Sequence, residues 1–210
     1  MRFALAALVS ATALCASILI AEPRSPVVHA QPVGIPLSTI IEFGDPYNGG
    51  DELYDAKITV VKIARGAPAW EALKSASPAN QPPKEGFQYL LVQVRFAFSA
   101  RTTPSHYSYT IDETQFSASD TDGNAYAPPA LARPPQPRLR GTLAPGDSIE
   151  GWVAFLVPRM DPSPLMLFQE DVGSVIHRGG GVWFQLSESI KARSKPKVGQ
   201  ENPSTSETPR

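Results

Sequence analysis

The middle of the chain alternates hydrophobic and polar residues with a period of two. In the stretch YLLVQVRFAF, Tyr89 to Phe98, the polar side chains Gln93 and Arg95 fall on one face. The opposite face carries Leu90, Val92, Val94, Phe96 and Phe98. Since successive side chains of a β-strand point to opposite sides of the sheet, this period predicts a strand with one face in a hydrophobic core.

Two other stretches show the same period. In SIEGWVAFLV the two faces carry Ile149, Gly151, Val153, Phe155 and Val157 against Glu150 and Trp152. KITVVKI begins with this alternation, but Ile58 and Val60 differ in parity from Ile63. The change of parity predicts a β-bulge near Val61. Shorter runs predict further strands at Thr39–Phe43, Thr114–Ser119, Leu165–Gln169 and Val182–Leu186.

Turn-forming residues separate the predicted strands, and one stretch has the character of a helix. The Asp-Gly pair at 122–123 predicts a hairpin turn, and the Pro-Gly-Asp triplet at 145–147 predicts a turn that leads into a strand. Ala67 to Ser77 predicts a short helix, with Trp70 and Leu73 three residues apart. Many short strands with one helix in a connecting loop predict an all-β, antiparallel sandwich.

The first 30 residues have the features of an export signal peptide. Arg2 supplies the positive charge, Phe3 to Ile20 form an apolar run, and Val28 and Ala30 match the small residues before a cleavage site. Cleavage after Ala30 is favoured over cleavage after Ala21. An uncleaved membrane anchor is the alternative, because the apolar run is just long enough to span a bilayer.

The cysteine count and the charge exclude several classes of protein. Cys15 is the only cysteine and lies in the predicted leader, so the mature chain has no disulfide, Cys-ligated zinc site or thiol nucleophile. Nineteen basic and twenty acidic residues give a net charge of -1. This balance argues against a nucleic-acid-binding protein, which carries a basic face.

The composition predicts one domain between two tails. Residues 31–50 are rich in Pro, Gly and Ser and predict a linker with the short strand already named. The sandwich domain is predicted over 51–188. Residues 189–210 contain almost no large hydrophobic side chain, which predicts a disordered C-terminal tail with a basic first part.

The triplet Gly-Asp-Ser at 146–148 raises the possibility of an esterase, because it resembles the nucleophile block of GDSL-type esterases. In those enzymes the serine follows a buried strand and precedes a helix. Ser148 instead precedes an alternating strand, and no Asp-x-x-His motif supplies a base. A serine without a base is a poor nucleophile, so we interpret the triplet as a turn.

The other candidates for chemistry are isolated. His106 lies in a polar loop and His177 precedes a run of glycines, and two separate histidines form no familiar ligand set. The stretch DTDGN has two carboxylates near a glycine but lacks the distal Glu of a calcium loop. We therefore expect no enzymatic activity, no metal and no cofactor.

The segment Asn124–Gly141 is rich in proline and arginine. Its prolines predict an extended, polyproline II backbone. No acid occurs between residues 122 and 147, so Arg133, Arg138 and Arg140 form a local positive cluster. One interpretation is a proline-stiffened loop without a function. The other is a loop that binds a carboxylate- or phosphate-bearing partner, since arginine forks suit both groups.

Trp70 completes the candidate interaction surface. On the predicted helix it either caps one end of the sandwich core or lines a groove with Tyr54 or Tyr107. The candidate surface therefore consists of Arg133, Arg138, Arg140 and Trp70.

Several of these segments together resemble the domain-of-unknown-function 4352 family. The resemblance covers Leu53 to about Leu186 and includes ITVVKIARGAPAWEALKSASPANQPPKEGFQYLLVQVRFAF, FSASDTDGNAY, LAPGDSIEGWVAFLVP and VWFQL. The chain departs from the family pattern in the Pro/Arg-rich segment. The resemblance implies an exported bacterial protein with an immunoglobulin-like sandwich and a binding role, and it supplies no catalytic or metal-ligating residue.

We therefore expect a non-catalytic binding or interaction module of the bacterial cell envelope, with an envelope protein or an anionic envelope polymer as partner. Nucleic acid is not expected as a partner, and a membrane is expected only through an uncleaved leader. The alternatives are a structural accessory domain without a ligand and a hydrolase with an unrecognised site.

Overall fold

The alternating stretches form antiparallel strands in the computed structural model, which describes residues 30–44, 52–103, 105–170 and 181–187. The elements in chain order are β1 Leu37–Phe43, β2 Glu52–Arg65, α1 Ala67–Ala76, β3 Phe87–Ala100, β4 Tyr109–Ile111, β5 Phe116–Ser119, β6 Gly141–Leu143, β7 Ser148–Pro158, β8 Leu165–Phe168 and β9 Val182–Gln185.

These strands make an immunoglobulin-like sandwich, as predicted. One sheet has the order β1-β2-β3-β7, and strands β5-β8-β9 and the pair β4-β6 cover its inner face. All of these strand pairs are antiparallel. The helix α1 lies in the connection between β2 and β3. The protein is therefore all-β with one short helix in a connecting loop.

Strand β3 lies at the centre of the four-stranded sheet and confirms the predicted faces. Val94 pairs with Val60 of β2 on one side and with Gly151 of β7 on the other. The predicted inner face of β3 is almost fully buried, whereas Arg95 is exposed. Because burial of one large hydrophobic side chain contributes about 1.5–3 kcal/mol, this face accounts for much of the core.

The predicted β-bulge is also confirmed. The register of β2 against β3 shifts between Val60 and Lys62. The extra residue lets Ile58 and Ile63 both face the core although their parity differs. Val61 is left exposed at the bulge.

The sandwich extends further toward the N-terminus than the predicted boundary. Strand β1 pairs with β2 over all seven of its residues, from Leu37 to Phe43. Gln31 also pairs with β9, since its N–H donates to the carbonyl oxygen of Trp183 at 2.8 Å. Part of the segment that the composition assigned to a linker therefore belongs to the sheets.

Strand β5 begins two residues later than predicted because a side chain caps a turn before it. Residues Glu113–Gln115 form a single 3-10 turn. The carboxylate of Asp112 accepts a hydrogen bond from the backbone N–H of Thr114 at 2.9 Å. This local bond competes with strand pairing, and extended structure resumes at Phe116.

Helix α1 covers the outer face of the sheet. Trp70, which is part of this helix, therefore does not lie where the sequence predicted. Ala69 and Leu73 pack on Tyr89 and Leu91 in a second hydrophobic cluster. Trp70 stacks on Tyr89 with ring centroids 6.0 Å apart. It therefore covers a face of the sheet and does not cap an end of the core.

Trp70 also shares no groove with the two tyrosines named as its possible partners. Tyr54 is buried near the end of β2 that is far from α1, and about 35 Å of extended strand separates it from the end that leads into α1. Tyr107 stacks on Phe43, with ring centroids 4.9 Å apart.

The Pro/Arg-rich segment 124–141, called the insert below, closes the free edge of β7. The backbone N–H of Trp152 donates to the carbonyl oxygen of Pro137 at 2.8 Å, and Arg138 forms a parallel bridge with Trp152. Leu139 is fully buried in the main core. The insert thus acts as an additional edge segment of the sandwich rather than as a free loop.

The ends of the chain lie outside the described residues. The predicted leader, apart from its last residue Ala30, and the predicted tail at 189–210 belong to this part. Among the described residues no helix is long and apolar enough to cross a membrane.

The close passage of the insert over β7 predicts the effect of a single methyl group. A Cβ at Gly151 would lie 2.4 Å from the backbone carbon of Arg138. Because backbone cannot move aside as a side chain can, we expect Gly151→Ala to lower the free energy of unfolding by about 3 kcal/mol and the melting temperature by roughly 6–12 °C. Thermal unfolding followed by circular dichroism measures this.

Gly141→Ala is the matched control. Its new Cβ would meet only the flexible end of Ile149, at 3.2 Å. We expect a change below about 1 kcal/mol. Equal stability of the two variants would show that the insert does not lie against Gly151.

Candidate functional site

A buried asparagine fixes the insert to the helix. The side-chain amide of Asn80 donates to the carbonyl oxygens of Leu73, in α1, and of Arg133, in the insert, both at 2.8 Å. Its side-chain oxygen accepts the backbone N–H of Arg133 at 3.0 Å. Since a buried polar group without a partner costs about 1–3 kcal/mol, these bonds set where the insert lies relative to α1.

The helix, the insert and the edge of β2 enclose a groove of about 1300 Å³. Leu91 and Trp152 form part of its floor. One wall is the face of α1 with Pro68, Ala72, Ser75 and Ala76. The opposite wall comes from the loop after β7 and the end of β9, with Pro162, Ser163, Gln185, Leu186 and Ser187. The groove is larger than most small-molecule sites, which measure about 300–1,000 Å³.

Among the residues that the structure describes, the charged side chains that line the groove are all basic: Lys62, Arg65 and Arg133. The guanidinium of Arg65 donates to the backbone carbonyl oxygens of Asp161 and of Pro162. Within the described ranges none of the three cations forms an ion pair. Since the guanidinium of Arg65 is already bonded, the charges of Lys62 and Arg133 are the ones available to an anionic partner.

The other two arginines of the candidate surface are engaged in the structure of the domain. Arg138 pairs with Glu113, and Arg140 pairs with the Asp112 carboxylate at 2.5 Å. Both acids lie more than 20 residues away in sequence. The composition of the insert alone therefore shows positive charges without acids to pair with them. The predicted positive cluster is thus divided, and only Arg133 lines the groove.

Asp112 is held in its charged form by these contacts. Burial raises the pKa of Asp112, but hydrogen bonds from Thr114 and the guanidinium of Arg140 outweigh burial. The net result is a pKa below the usual value of an aspartate. The carboxylate therefore remains available to pair with Arg140 at neutral pH.

A second cavity of about 430 Å³ lies under the insert, beside β5 and β7. Its walls include Phe116, Tyr126, Leu131 and Trp152. The hydroxyl of Tyr126 donates to the Asp161 carboxylate at 2.6 Å. Burial, together with this bond to a carboxylate, raises the pKa of Tyr126. The tyrosine is therefore a hydrogen-bond donor and not a base.

Among the described residues, the carboxylate with the most strongly lowered pKa is that of Glu52, at the other end of the sheet. Glu52 accepts bonds from the Tyr54 hydroxyl and from the backbone N–H of His106, the latter at 2.7 Å. The Tyr54 bond and the contacts of His106 lower the pKa of Glu52 to about 2. A carboxylate with this pKa is a weak base at neutral pH, so the arrangement ties a loop to β2 and is poorly suited to general base catalysis.

Ser148 lies where the turn interpretation placed it. Gly146 has a φ of 102°, and the Asp147 carboxylate accepts the backbone N–H of Ala144 at 2.9 Å. Ser148 is exposed and begins β7 opposite Ala97. The histidine His106 instead contacts Glu52, and His177 lies outside the described residues.

The DTDGN stretch forms a turn organised by Asp120. Its carboxylate accepts the backbone N–H groups of Asp122 and Asn124 and the side-chain amide of Asn124, at 2.8–2.9 Å. These bonds lower the pKa of Asp120. In the part of the chain that the structure describes, no three His, Cys, Asp or Glu side chains come together as a metal site requires.

Sequence reasoning missed the residues that position the groove. Asn80 lies within the longest stretch that resembles the family, and Gly151 lies on the face of a predicted strand, but the sequence predicts no role for either. A glycine on the buried face of a strand was an available signal, because it often marks the close approach of another backbone. The sequence around Lys62 and Arg65 does not indicate that they line a groove, because the groove forms only where α1 and the insert lie beside β2.

Comparisons with known proteins place most of the domain in one family model. The model described as a domain of unknown function, DUF4352, matches residues 48–174, which include α1 and the insert. No curated protein matches the chain. The crystal structure of the yjhA protein from Bacillus subtilis is similar with a TM-score of 0.46 and 10% identity, over 75% of this chain and 99% of that one.

The bonds of Asn80 predict that it stabilises the insert. Asn80→Ala leaves both backbone groups of Arg133 without their partner, so we expect the free energy of unfolding to fall by about 1–3 kcal/mol. The Arg133 amide should also exchange its hydrogen faster. Denaturant titration and NMR hydrogen exchange measure these effects.

Gln81→Ala is the neighbouring control. Its exposed side chain reaches only the carbonyl oxygen of Ala79, so we expect a change within about 0.5 kcal/mol. An Asn80→Ala variant as stable as this control would contradict the role assigned to Asn80.

Proposed function

The chain belongs to the DUF4352 family, and we propose that it is an exported, non-catalytic binding or interaction module of the bacterial cell envelope. Export rests on the features of the first 30 residues: the positive Arg2, the apolar run and the small residues before Gln31. The proposed partner is an envelope protein or an anionic envelope polymer.

The single observation that carries the binding role is the groove beside α1. It combines an apolar floor, including Trp152, with basic side chains, and no described residue contributes a carboxylate to its lining. Pockets that bind ligands typically join an apolar lining to a few polar groups that orient the ligand. Lys62 and Arg133 are exposed at this groove and attract anionic groups from solution.

A non-catalytic role is supported by the state of the candidate groups for chemistry. Ser148 is exposed at the start of β7, and His106, which is bound to Glu52, gives it no base among the described residues. Glu52 is held ionised with a pKa of about 2. These groups serve the turns and loops in which they lie.

Removing the two exposed groove cations should weaken association with envelope material. We expect the double variant Lys62→Gln and Arg133→Gln to bind about threefold to tenfold less at low ionic strength, because exposed ion pairs each contribute roughly 0.2–1 kcal/mol. The difference should shrink as salt screens the charges. Cosedimentation of the mature protein with a bacterial membrane and cell-wall fraction measures it.

The control removes the same number of positive charges at positions outside the groove. Lys57→Gln with Lys84→Gln removes two exposed lysines that do not line the groove. We expect this variant to bind as the unchanged protein does. Equal losses in both variants, or no association of the unchanged protein, would contradict the proposal.

A further inference from the structure

Among the described residues, one edge of the four-stranded sheet has no strand partner where it borders the groove. Pairing between β1 and β2 ends at Leu37 and Ile58, and the N–H of Gly34 makes one further bond to the carbonyl oxygen of Val60 at 2.9 Å. On its other side β2 continues to pair with β3 as far as Arg65. The last residues of β2 therefore have a strand partner on one side only, among the residues that the structure describes.

The direction of the backbone groups follows from the hydrogen bond that ends the strand. The N–H of Gly66 donates to the carbonyl oxygen of Tyr89, in β3, at 2.9 Å. Because the groups of successive residues alternate in direction along an antiparallel strand, those of Ile63 and Arg65 point away from β3. No described residue donates to them or accepts from them.

The groove has room for an added strand. Ile63 and Arg65 line it together with Lys62 and Ala64. Four residues of extended chain span about 13 Å, and a volume of about 1300 Å³ holds several residues of peptide. An extended peptide in this position would satisfy the open backbone groups, which is the basis of strand addition.

The two faces of this edge differ in the groups that they leave free. Lys62 lies in register with Gln93 and Trp152 on the outer face, where Arg133 also lines the groove. Ile63 and Arg65 lie on the other face, where Ile63 packs against the main core and the Arg65 guanidinium is already bonded to backbone carbonyl oxygens. A partner strand therefore meets the free cations Lys62 and Arg133 on one face and Ile63 on the other.

We propose that the edge of β2 from Lys62 to Arg65 binds an extended segment of a partner protein that alternates acidic and apolar residues, by strand addition. This inference rests on the proposed function and narrows the partner to a protein segment. Acidic side chains of the segment lie near Lys62 and Arg133, and its apolar side chains lie near Ile63.

A bulge and a lysine at a sheet edge are also devices that protect the edge, since both keep sheets from pairing. The position of the bulge argues against this role. It lies between Val60 and Lys62, where pairing with β1 has just ended, and the register from Lys62 to Arg65 is regular. The open stretch follows the bulge and is not distorted by it.

The test uses a synthetic peptide of about eight residues that alternates Glu and Val, blocked at both ends, and calorimetry with the full mature chain. In an added strand only every second N–H faces the sheet. We therefore expect N-methylation of one alternate set of amides to weaken binding by about tenfold or more, since those hydrogen bonds are lost. N-methylation of the other set should change it less than about twofold.

The charge of the peptide and the position of the cation provide the controls. A Lys-Val peptide should not bind, and Lys62→Gln should weaken binding of the Glu-Val peptide about threefold. Lys57→Gln should leave it unchanged. These controls distinguish binding in the groove from general attraction between opposite charges.

The outcomes distinguish this inference from the proposed function. If the two N-methylated peptides bind equally well, or lose binding equally, the proposal of strand addition is wrong. Absence of peptide binding would overturn it as well. If the peptide test fails but the protein still associates with envelope material through Lys62 and Arg133, the proposed binding role stands and only strand addition is wrong. If the protein does not associate with envelope material either, the proposed function and strand addition are both wrong.

Discussion

The closure of sheet edges is the constraint on which the rest of this structure depends. A strand at the edge of a sheet presents backbone N–H and C=O groups that need partners. At β7 the insert supplies them, through the bond from Trp152 to Pro137 and the bridge at Arg138. This closure is possible only because Gly151 lets the backbone of the insert pass at contact distance.

The same contacts connect the core to the groove. Leu139 anchors the insert in the main core, and Asn80 binds its backbone at Arg133 to the end of α1. The helix in turn packs on the outer face of β3 through Leu73. One continuous set of packing contacts and hydrogen bonds thus places the walls of the groove beside the open end of β2, and the function that we propose follows from that placement.

The sequence predicted the core well and the site poorly, for a physical reason. The faces of β3, the bulge near Val61 and the helix from Ala67 depend on local periodicity and turn chemistry, which short stretches encode. The partners of Arg138 and Arg140 depend on contacts between segments that are distant in sequence. A cluster of like charges in sequence therefore did not correspond to a cluster of free charges in the fold.

Amide hydrogen exchange followed by NMR tests most directly the claim that one edge is closed and the other open. We expect slow exchange at Trp152, whose N–H is bonded to the insert, and at Gly66, whose N–H is bonded to β3. We expect exchange at Ile63 and Arg65 to be faster than at Gly66 by about tenfold or more, since exchange requires an amide free of its hydrogen bond. Protection of Ile63 and Arg65 equal to that of Gly66 would contradict the account.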